Sequence, residues 1–159
     1  MELDDLLKGV QTVAIICNQW GDTGKGKFSD YFASQWADVT ARRTGWTDVV
    51  VAKYAVGING PLLVLTKPDS LSGAKEFKLA YSYKKDDQLV DTFSRSEEFL
   101  RSVTPQYKSY EGYGDINDIR SYDKLPSSLR QAIRDFESFT GSRVAIVSVG
   151  ADRKEIIIR

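Results

Sequence analysis

The sequence predicts an α/β fold: one domain on a mostly parallel central sheet, with an added β-hairpin. Three observations carry that expectation. Short apolar, β-branched runs at Val10–Cys17 (VQTVAIIC), Leu62–Thr66 (LLVLT) and Val144–Val149 (VAIVSV) read as buried strands. Segments with helical spacing of apolar residues alternate with them. With 159 residues, 42% of them hydrophobic, the chain can bury one core and is short for two.

The first strand is broken by Gly21-Asp22-Thr23-Gly24, and a helical pattern follows over 25–36, with Phe28, Tyr31, Phe32 and Trp36 on one face. A second helix is expected from Trp46 to about Val56, ended near Gly57 and Gly60. After the strand Leu62–Thr66, the pattern alternates from Glu76 to Tyr83, with Phe77, Leu79, Tyr81 and Tyr83 facing one way. Lys84–Asp87 makes a polar turn and Leu89–Phe93 completes a hairpin. Ser96–Val103 is expected as a short helix. Residues 105–124 are polar, aromatic and punctuated by glycine, and read as an ordered excursion in which Tyr107, Tyr110 and Tyr113 cover a sheet edge. Pro126 opens an amphipathic helix with Leu129, Ala132, Ile133, Phe136 and Phe139 on one face, and Gly141 ends it. Val144–Val149 and a short Ile156–Ile158 supply the last strands. Cys17 is expected in the core, and Trp36 and Trp46 in packing around the connection between them.

Composition excludes several functions. Twenty-two basic and 22 acidic side chains cancel, so neither nucleic acid nor an anionic membrane is expected as partner. The single cysteine has no internal disulfide partner, which points to a reduced, cytoplasmic setting. The acidic start Met1-Glu2-Leu3-Asp4-Asp5 is unlike a signal peptide, and no apolar run approaches membrane-spanning length. There is no histidine, which removes imidazole acid–base chemistry and histidine–cysteine zinc sites from this chain.

Gly21-Asp22-Thr23-Gly24-Lys25-Gly26-Lys27 lies between a strand and a helix. Glycines let backbone N–H groups approach a phosphate, the helix N-terminus adds partial positive charge, and lysine adds a full one. The spacing meets the first seven positions of a P-loop, but Phe28 stands where the magnesium-binding hydroxyl belongs. Taken alone, a glycine-rich turn with solvated lysines is the simpler account. The longer string Gln19-Trp20-Gly21-Asp22-x-Gly24-Lys25-Gly26-Lys27, however, resembles the QWGDEGKGK signature of the adenylosuccinate synthetase family, with Thr23 in place of glutamate.

Other segments share the resemblance. Lys53-Tyr54-Ala55-Val56-Gly57-Ile58-Asn59-Gly60 and Leu65-Thr66-Lys67-x-Asp69-x-Leu71-Ser72-Gly73 resemble the family's RYAVRING…LTKLDVLSG stretch, and Ser148-Val149-Gly150-Ala151-Asp152-Arg153 resembles its SVGPDR. An aspartate placed like Asp69 can accept from both N1–H and the 2-amino group of guanine while the Lys67 stem lies along the ring. Adenine offers no such donor pair, and a buried carboxylate left unsatisfied by the wrong base can cost about 10⁴-fold in discrimination.

The resemblance implies a P-loop-like domain binding GTP or GDP through Gly21, Gly24, Lys25, Gly26, Lys27, Lys67, Asp69, Ser148 and Gly150. It implies Mg²⁺ on Asp22, and Asp22 and Lys25 as the catalytic groups. In the family, the aspartate matching Asp22 takes the N1 proton of IMP, and the resulting O6 attacks the γ-phosphate of GTP. The family order is interrupted near Asp38–Arg43: Asp38-Val39-Thr40-Ala41-Arg42 resembles its second strand, and Arg42-Arg43-Thr44-Gly45-Trp46 belongs late in it. The expected organisation is therefore a single truncated domain over 1–159, a family N-terminal part (1–42) joined to a C-terminal part (43–159). The missing segment would carry the catalytic histidine and most of the IMP and aspartate sites, leaving Arg43 as the residue resembling a substrate contact.

A general acid is worth about 10²- to 10⁴-fold. Positioning is worth roughly 7–11 kcal/mol, so loss of the pocket outweighs loss of the histidine. Three functional expectations follow. The first is a guanine-nucleotide-binding remnant of this purine-biosynthetic ligase. The second is a subunit that works only if a partner chain supplies the IMP and aspartate sites. The third is a non-catalytic interaction or regulatory protein of full-length synthetase. A homodimer is compatible with each.

Overall fold

A computed structural model describes the backbone of residues 14–17 and all of residues 46–159. The expected helix over 25–36, the strand at 38–42, the loop Gly21–Lys27 and Arg43 lie outside the described residues. The described elements are β1 (Ala14–Cys17), β2 (Thr47–Asp48), α1 (Val49–Asn59), β3 (Leu62–Thr66), a 3₁₀ turn (Pro68–Leu71), β4 (Glu76–Lys85), β5 (Gln88–Val90), α2 (Glu97–Ser102), β6 (Thr104–Glu111), a second 3₁₀ turn (Tyr122–Lys124), α3 (Ser127–Thr140), β7 (Arg143–Ser148) and β8 (Ile156–Ile158).

They form two sheets. The first runs β1-β3-β7-β8, with β1, β3 and β7 parallel and β8 antiparallel at the edge. The second is centred on β4, with β2 and β5 along one side and β6 along the other. This is the mixed α/β architecture with an added hairpin that the sequence predicts. The core lies where α1, α3 and the sheets meet, with Val49, Leu63, Phe77, Ile116, Leu129 and Val147 among its most buried side chains.

Helix α1 starts three residues later than expected because Thr47 and Asp48 pair with Leu79 and Ala80 of β4. Asp48 then caps the helix: its Oδ1 accepts from the Val51 N–H at 3.0 Å, while its Oδ2 accepts from the Tyr83 hydroxyl at 2.7 Å. The helix also runs through Gly57 to Asn59. An exposed glycine costs a helix only about 1 kcal/mol, and Gly60, at φ 95°, makes the real stop by returning its N–H to Val56 O.

Helix α3 follows its sequence pattern, with Leu129, Ala132, Ile133 and Phe136 buried and Phe139 half-buried. Gly141, at φ 68°, terminates it with an N–H donated to Glu137 O.

Three expectations around β4 need correction. The strand reaches Lys85, and its register against β6 slips between Ala80 and Ser82, so Tyr81 is an extra, bulged residue. Ala80 is therefore buried beside Phe77, Leu79 and Tyr83, and the alternation is not strict. The return strand is Gln88–Val90 rather than Leu89–Phe93, because Asp86 and Asp87 (φ 48° and 63°) close a two-residue turn with both residues left-handed. Finally, residues 104–111 form β6, where the sequence predicts an ordered excursion without naming a strand. Its partner on one side is β4; along its other side it is an edge strand, where Pro105 is tolerated. Tyr107 is exposed as an edge residue would be, but Tyr110 and Tyr113 are core residues.

Asp48 joins the second sheet to α1, so its loss should reach both. Asp48→Ala removes a cap and leaves the Tyr83 hydroxyl without its acceptor, and is expected to cost about 2–4 kcal/mol in urea unfolding. Tyr83→Phe, which keeps the cap, should cost about 1 kcal/mol. Equal costs for the two variants would show that Asp48 does not cap α1.

Candidate site at the carboxyl edge of the parallel sheet

Parallel strands deliver the segments that follow them to one edge. Cys17 is the register partner of Thr66, and Leu65 that of Val147, so the chain leaves β1, β3 and β7 at adjacent positions. Neighbouring strands are roughly 4.8 Å apart, which puts the outer exits about 10 Å from each other. This crevice beyond the strand ends is where open α/β sheets place ligands.

After β3 the chain turns at Lys67, which is left-handed (φ 59°, ψ 35°), and enters the 3₁₀ turn Pro68–Leu71. The Lys67 carbonyl accepts from the Ser70 hydroxyl at 2.7 Å, and Asp69 O accepts from the Ser72 N–H at 3.0 Å. Pro68 is buried and packs with its turn against β7. Asp69 is half-buried, and its Oδ1 is shielded from solvent. The Tyr113 hydroxyl donates to Pro68 O at 2.8 Å. Burial, and next the charge of Asp69, push the Tyr113 phenol well above its usual range.

At the end of β7, the buried Ser148 donates its hydroxyl to Gly150 O at 3.2 Å. Glu155 closes the following turn twice: its carbonyl accepts from the Val149 N–H at 2.9 Å, and its Oε2 from the Asp152 N–H at 2.7 Å. A Cβ at Gly150 would stand 2.2 Å from that Oε2.

Of the residues singled out from sequence, Lys67, Asp69, Ser148 and Gly150 thus lie at one sheet edge, Ser148 as the last residue of β7 and the others on segments that follow β3 and β7. Gly21, Asp22, Gly24, Lys25, Gly26, Lys27 and Arg43 lie outside the described residues. Among the described residues, no three His, Cys, Asp or Glu side chains cluster to hold a metal ion, and no helix is long and apolar enough to cross a membrane. Sequence reasoning missed Glu155 and Tyr113. Glu155 follows the SVGADR segment and acts on its backbone amides, which carry no side-chain signal. Tyr113 sits 45 residues from the carbonyl it binds, and nothing local marks it.

Parallel strands β1, β3 and β7, with the segments after β3 and β7 at their carboxyl edge, define an α/β protein. The comparisons name the family. The adenylosuccinate synthetase family model matches residues 39–157. Adenylosuccinate synthetase of Clostridium beijerinckii is 38% identical over 117 residues, covering 72% of this chain and 27% of that protein. The Clostridium perfringens synthetase is 35% identical over 142 residues, covering 88% of this chain and 32% of that one. A solved structure, the fully ligated adenylosuccinate synthetase from Plasmodium falciparum, superposes with a TM-score of 0.69 at 25% identity, covering 92% of this chain and 36% of that one. The chain belongs to the adenylosuccinate synthetase family, and spans about a third or less of the length of these relatives.

Gly150→Ala should displace the Glu155 carboxylate and uncap the Asp152 amide. The expected cost is about 1–2 kcal/mol, with faster hydrogen exchange at Asp152. Unchanged exchange at that amide would show that Glu155 does not hold the turn.

Proposed function

We propose that this chain is a guanine-nucleotide-binding member of the family that keeps the nucleotide half of the synthetase and lacks the half holding IMP and aspartate. One observation carries the reading: the segments after Cys17, Thr66 and Ser148 leave a single sheet edge as neighbours. The first leads to the glycine- and lysine-rich loop Gly21–Lys27, the second carries Lys67 and Asp69, and the third carries Gly150. On this reading Gly21, Gly24, Lys25, Gly26 and Lys27 hold the phosphates, and Mg²⁺ accompanies GTP on Asp22. Asp69 accepts from N1–H and the 2-amino group, Lys67 lies along the ring, and Ser148 with Gly150 lines the other side of the base. A carboxylate oxygen shielded from solvent suits a base that offers donors, because a base offering acceptors there would be repelled by it.

The proposed organisation joins a family N-terminal part, 1–42, to a C-terminal part, 43–159. The solved synthetase matches 92% of this chain but only 36% of its own length, which is what a shortened relative would give. Asp22 and Lys25 would then be catalytic groups without a positioned substrate. The chain has no histidine to act as acid, and positioning worth roughly 7–11 kcal/mol is lost with the pocket. Adenylosuccinate formation would require a partner chain that supplies the IMP and aspartate sites, with Arg43 turned toward the substrate.

Titration by calorimetry should show GDP bound at least about 100-fold more tightly than ADP. Asp69→Ala should remove that preference, whereas Lys25→Ala should weaken binding of both nucleotides. Equal affinity of the native chain for GDP and ADP sinks the reading. Phosphate release from GTP in the presence of IMP and aspartate is expected to stay at background.

A further inference from the structure

We infer that Tyr113 is a positioning residue that sets discrimination for the 2-amino group of the purine, by clamping the turn that carries Asp69. The inference rests on the guanine-nucleotide reading above.

Strand β6 ends at Glu111, and Gly112 and Tyr113 then run against the segment between the Asp69 turn and β4. The Gly112 N–H donates to Lys75 O at 2.9 Å, the Gly73 N–H donates to Tyr113 O at 2.8 Å, and the Tyr113 hydroxyl donates to Pro68 O at 2.8 Å. Residues 68–75 are thereby tied at both ends to one dipeptide. The approach is so close that a Cβ at Gly112 would stand 1.7 Å from the backbone oxygen of Ala74, and backbone cannot swing aside as a side chain can. The Tyr113 ring is fixed in turn by an edge contact with Phe77, at 5.5 Å between centroids.

The clamped turn needs holding. Its entry, Lys67, is left-handed, a conformation that costs a non-glycine residue about 1–2 kcal/mol. The Tyr113 bond falls on Pro68, between Lys67 and Asp69, so it fixes the peptide from which the Asp69 side chain projects. A carboxylate that must meet two donors at once tolerates little rotation, whereas one meeting a single donor tolerates more. Slackening the turn therefore loses the second donor first. Guanine offers N1–H and the 2-amino group; hypoxanthine offers N1–H alone.

The test compares GDP with IDP on the full chain. Tyr113→Phe keeps the ring and removes the hydroxyl. It should weaken GDP about 3- to 10-fold, the worth of one neutral hydrogen bond, while IDP changes less than about 2-fold. Tyr110→Phe, in the same aromatic cluster but bonded to Asp135, should leave the GDP-to-IDP ratio unchanged. A native chain that binds neither nucleotide overturns this inference together with the guanine reading. A native chain that prefers GDP, with a Tyr113→Phe variant that keeps the full preference or loses both nucleotides equally, overturns the inference alone. In the native chain the Ser72 and Gly73 amides should exchange more slowly with GDP bound than with IDP. Equal protection overturns the inference without reliance on any variant.

Discussion

Strand β3 is the constraint on which the rest depends, because it is hydrogen-bonded on both sides and fixes where three distant segments leave the sheet. Its pairing with β1 is continuous from Ala14↔Leu63 to Cys17↔Thr66. Its pairing with β7 slips by one residue: Leu63 faces Val144, but Val64 faces Ile146. The extra residue, Ala145, does not waste its carbonyl, which accepts from the Arg159 N–H at 2.8 Å. The slip has a positional consequence: it advances β7 by one residue at its carboxyl end, so that Ser148 rather than Val147 continues the register beside Thr66. Shifting a strand by one residue reverses the facing of its side chains, so this irregularity decides what β7 presents at the crevice.

A second constraint joins the second sheet to α3. Phe77 stacks on Tyr110 at 5.2 Å and meets Tyr113 edge-on, so strands β4 and β6 pack through aromatic rings whose polar ends need partners. Tyr110 donates to Asp135 of α3 at 2.9 Å and shares a hydrogen bond with Tyr81 at 2.9 Å. Burial, followed by the Tyr81 and Asp135 hydrogen bonds, drives the Tyr110 phenol far above its usual range, and burial chiefly pushes Tyr81 up to about 12. Burial acts to raise Asp135 too, but hydrogen bonds from Lys108, Tyr110 and Gln131 outweigh it and hold the carboxyl below its usual range. A depressed carboxyl stabilises the fold above its unfolded pKa, and that contribution is lost as pH falls through the folded value. The Tyr110–Asp135 network thus ties β4 and β6 to α3, while Tyr113, bonded to Pro68 instead, reaches the Asp69 turn.

Much of the first sheet was legible because its strands are nearly all apolar. Val144 to Val149 are all buried, which is what a strand covered on both faces requires, and Leu62–Thr66 reads the same way. Helix α3 was legible from its apolar spacing and from the glycine that ends it. Strand β6 was not, because TPQYKSYE carries its burial on Tyr110 while Thr104, Tyr107, Lys108, Ser109 and Glu111 face solvent. A half-exposed edge strand with hydroxylated aromatics has the composition of a loop. At the candidate site, Lys67, Asp69, Ser148 and Gly150 were singled out because short strings around them resemble family segments. Tyr113 and Glu155 escaped because they act on backbone groups, and a hydrogen bond to a carbonyl or an amide leaves no mark on the partner residue's identity.

On the proposed reading, base recognition and catalysis make different demands on such a fold, so the first could outlast the second. Recognition needs a few groups held at one sheet edge, and here the register of β3 and the Gly112–Tyr113 clamp lie wholly within the described residues. Catalysis needs a second substrate brought to the same edge, and the roughly 7–11 kcal/mol that such positioning supplies comes from surfaces outside the nucleotide site. On the proposed reading, loss of those surfaces would leave the parallel register in place, because that register is made by β1, β3 and β7 on one another. A chain shortened in that way would therefore lose its chemistry at one stroke while the geometry proposed for the guanine site persists, maintained by the packing that keeps the sheet itself folded.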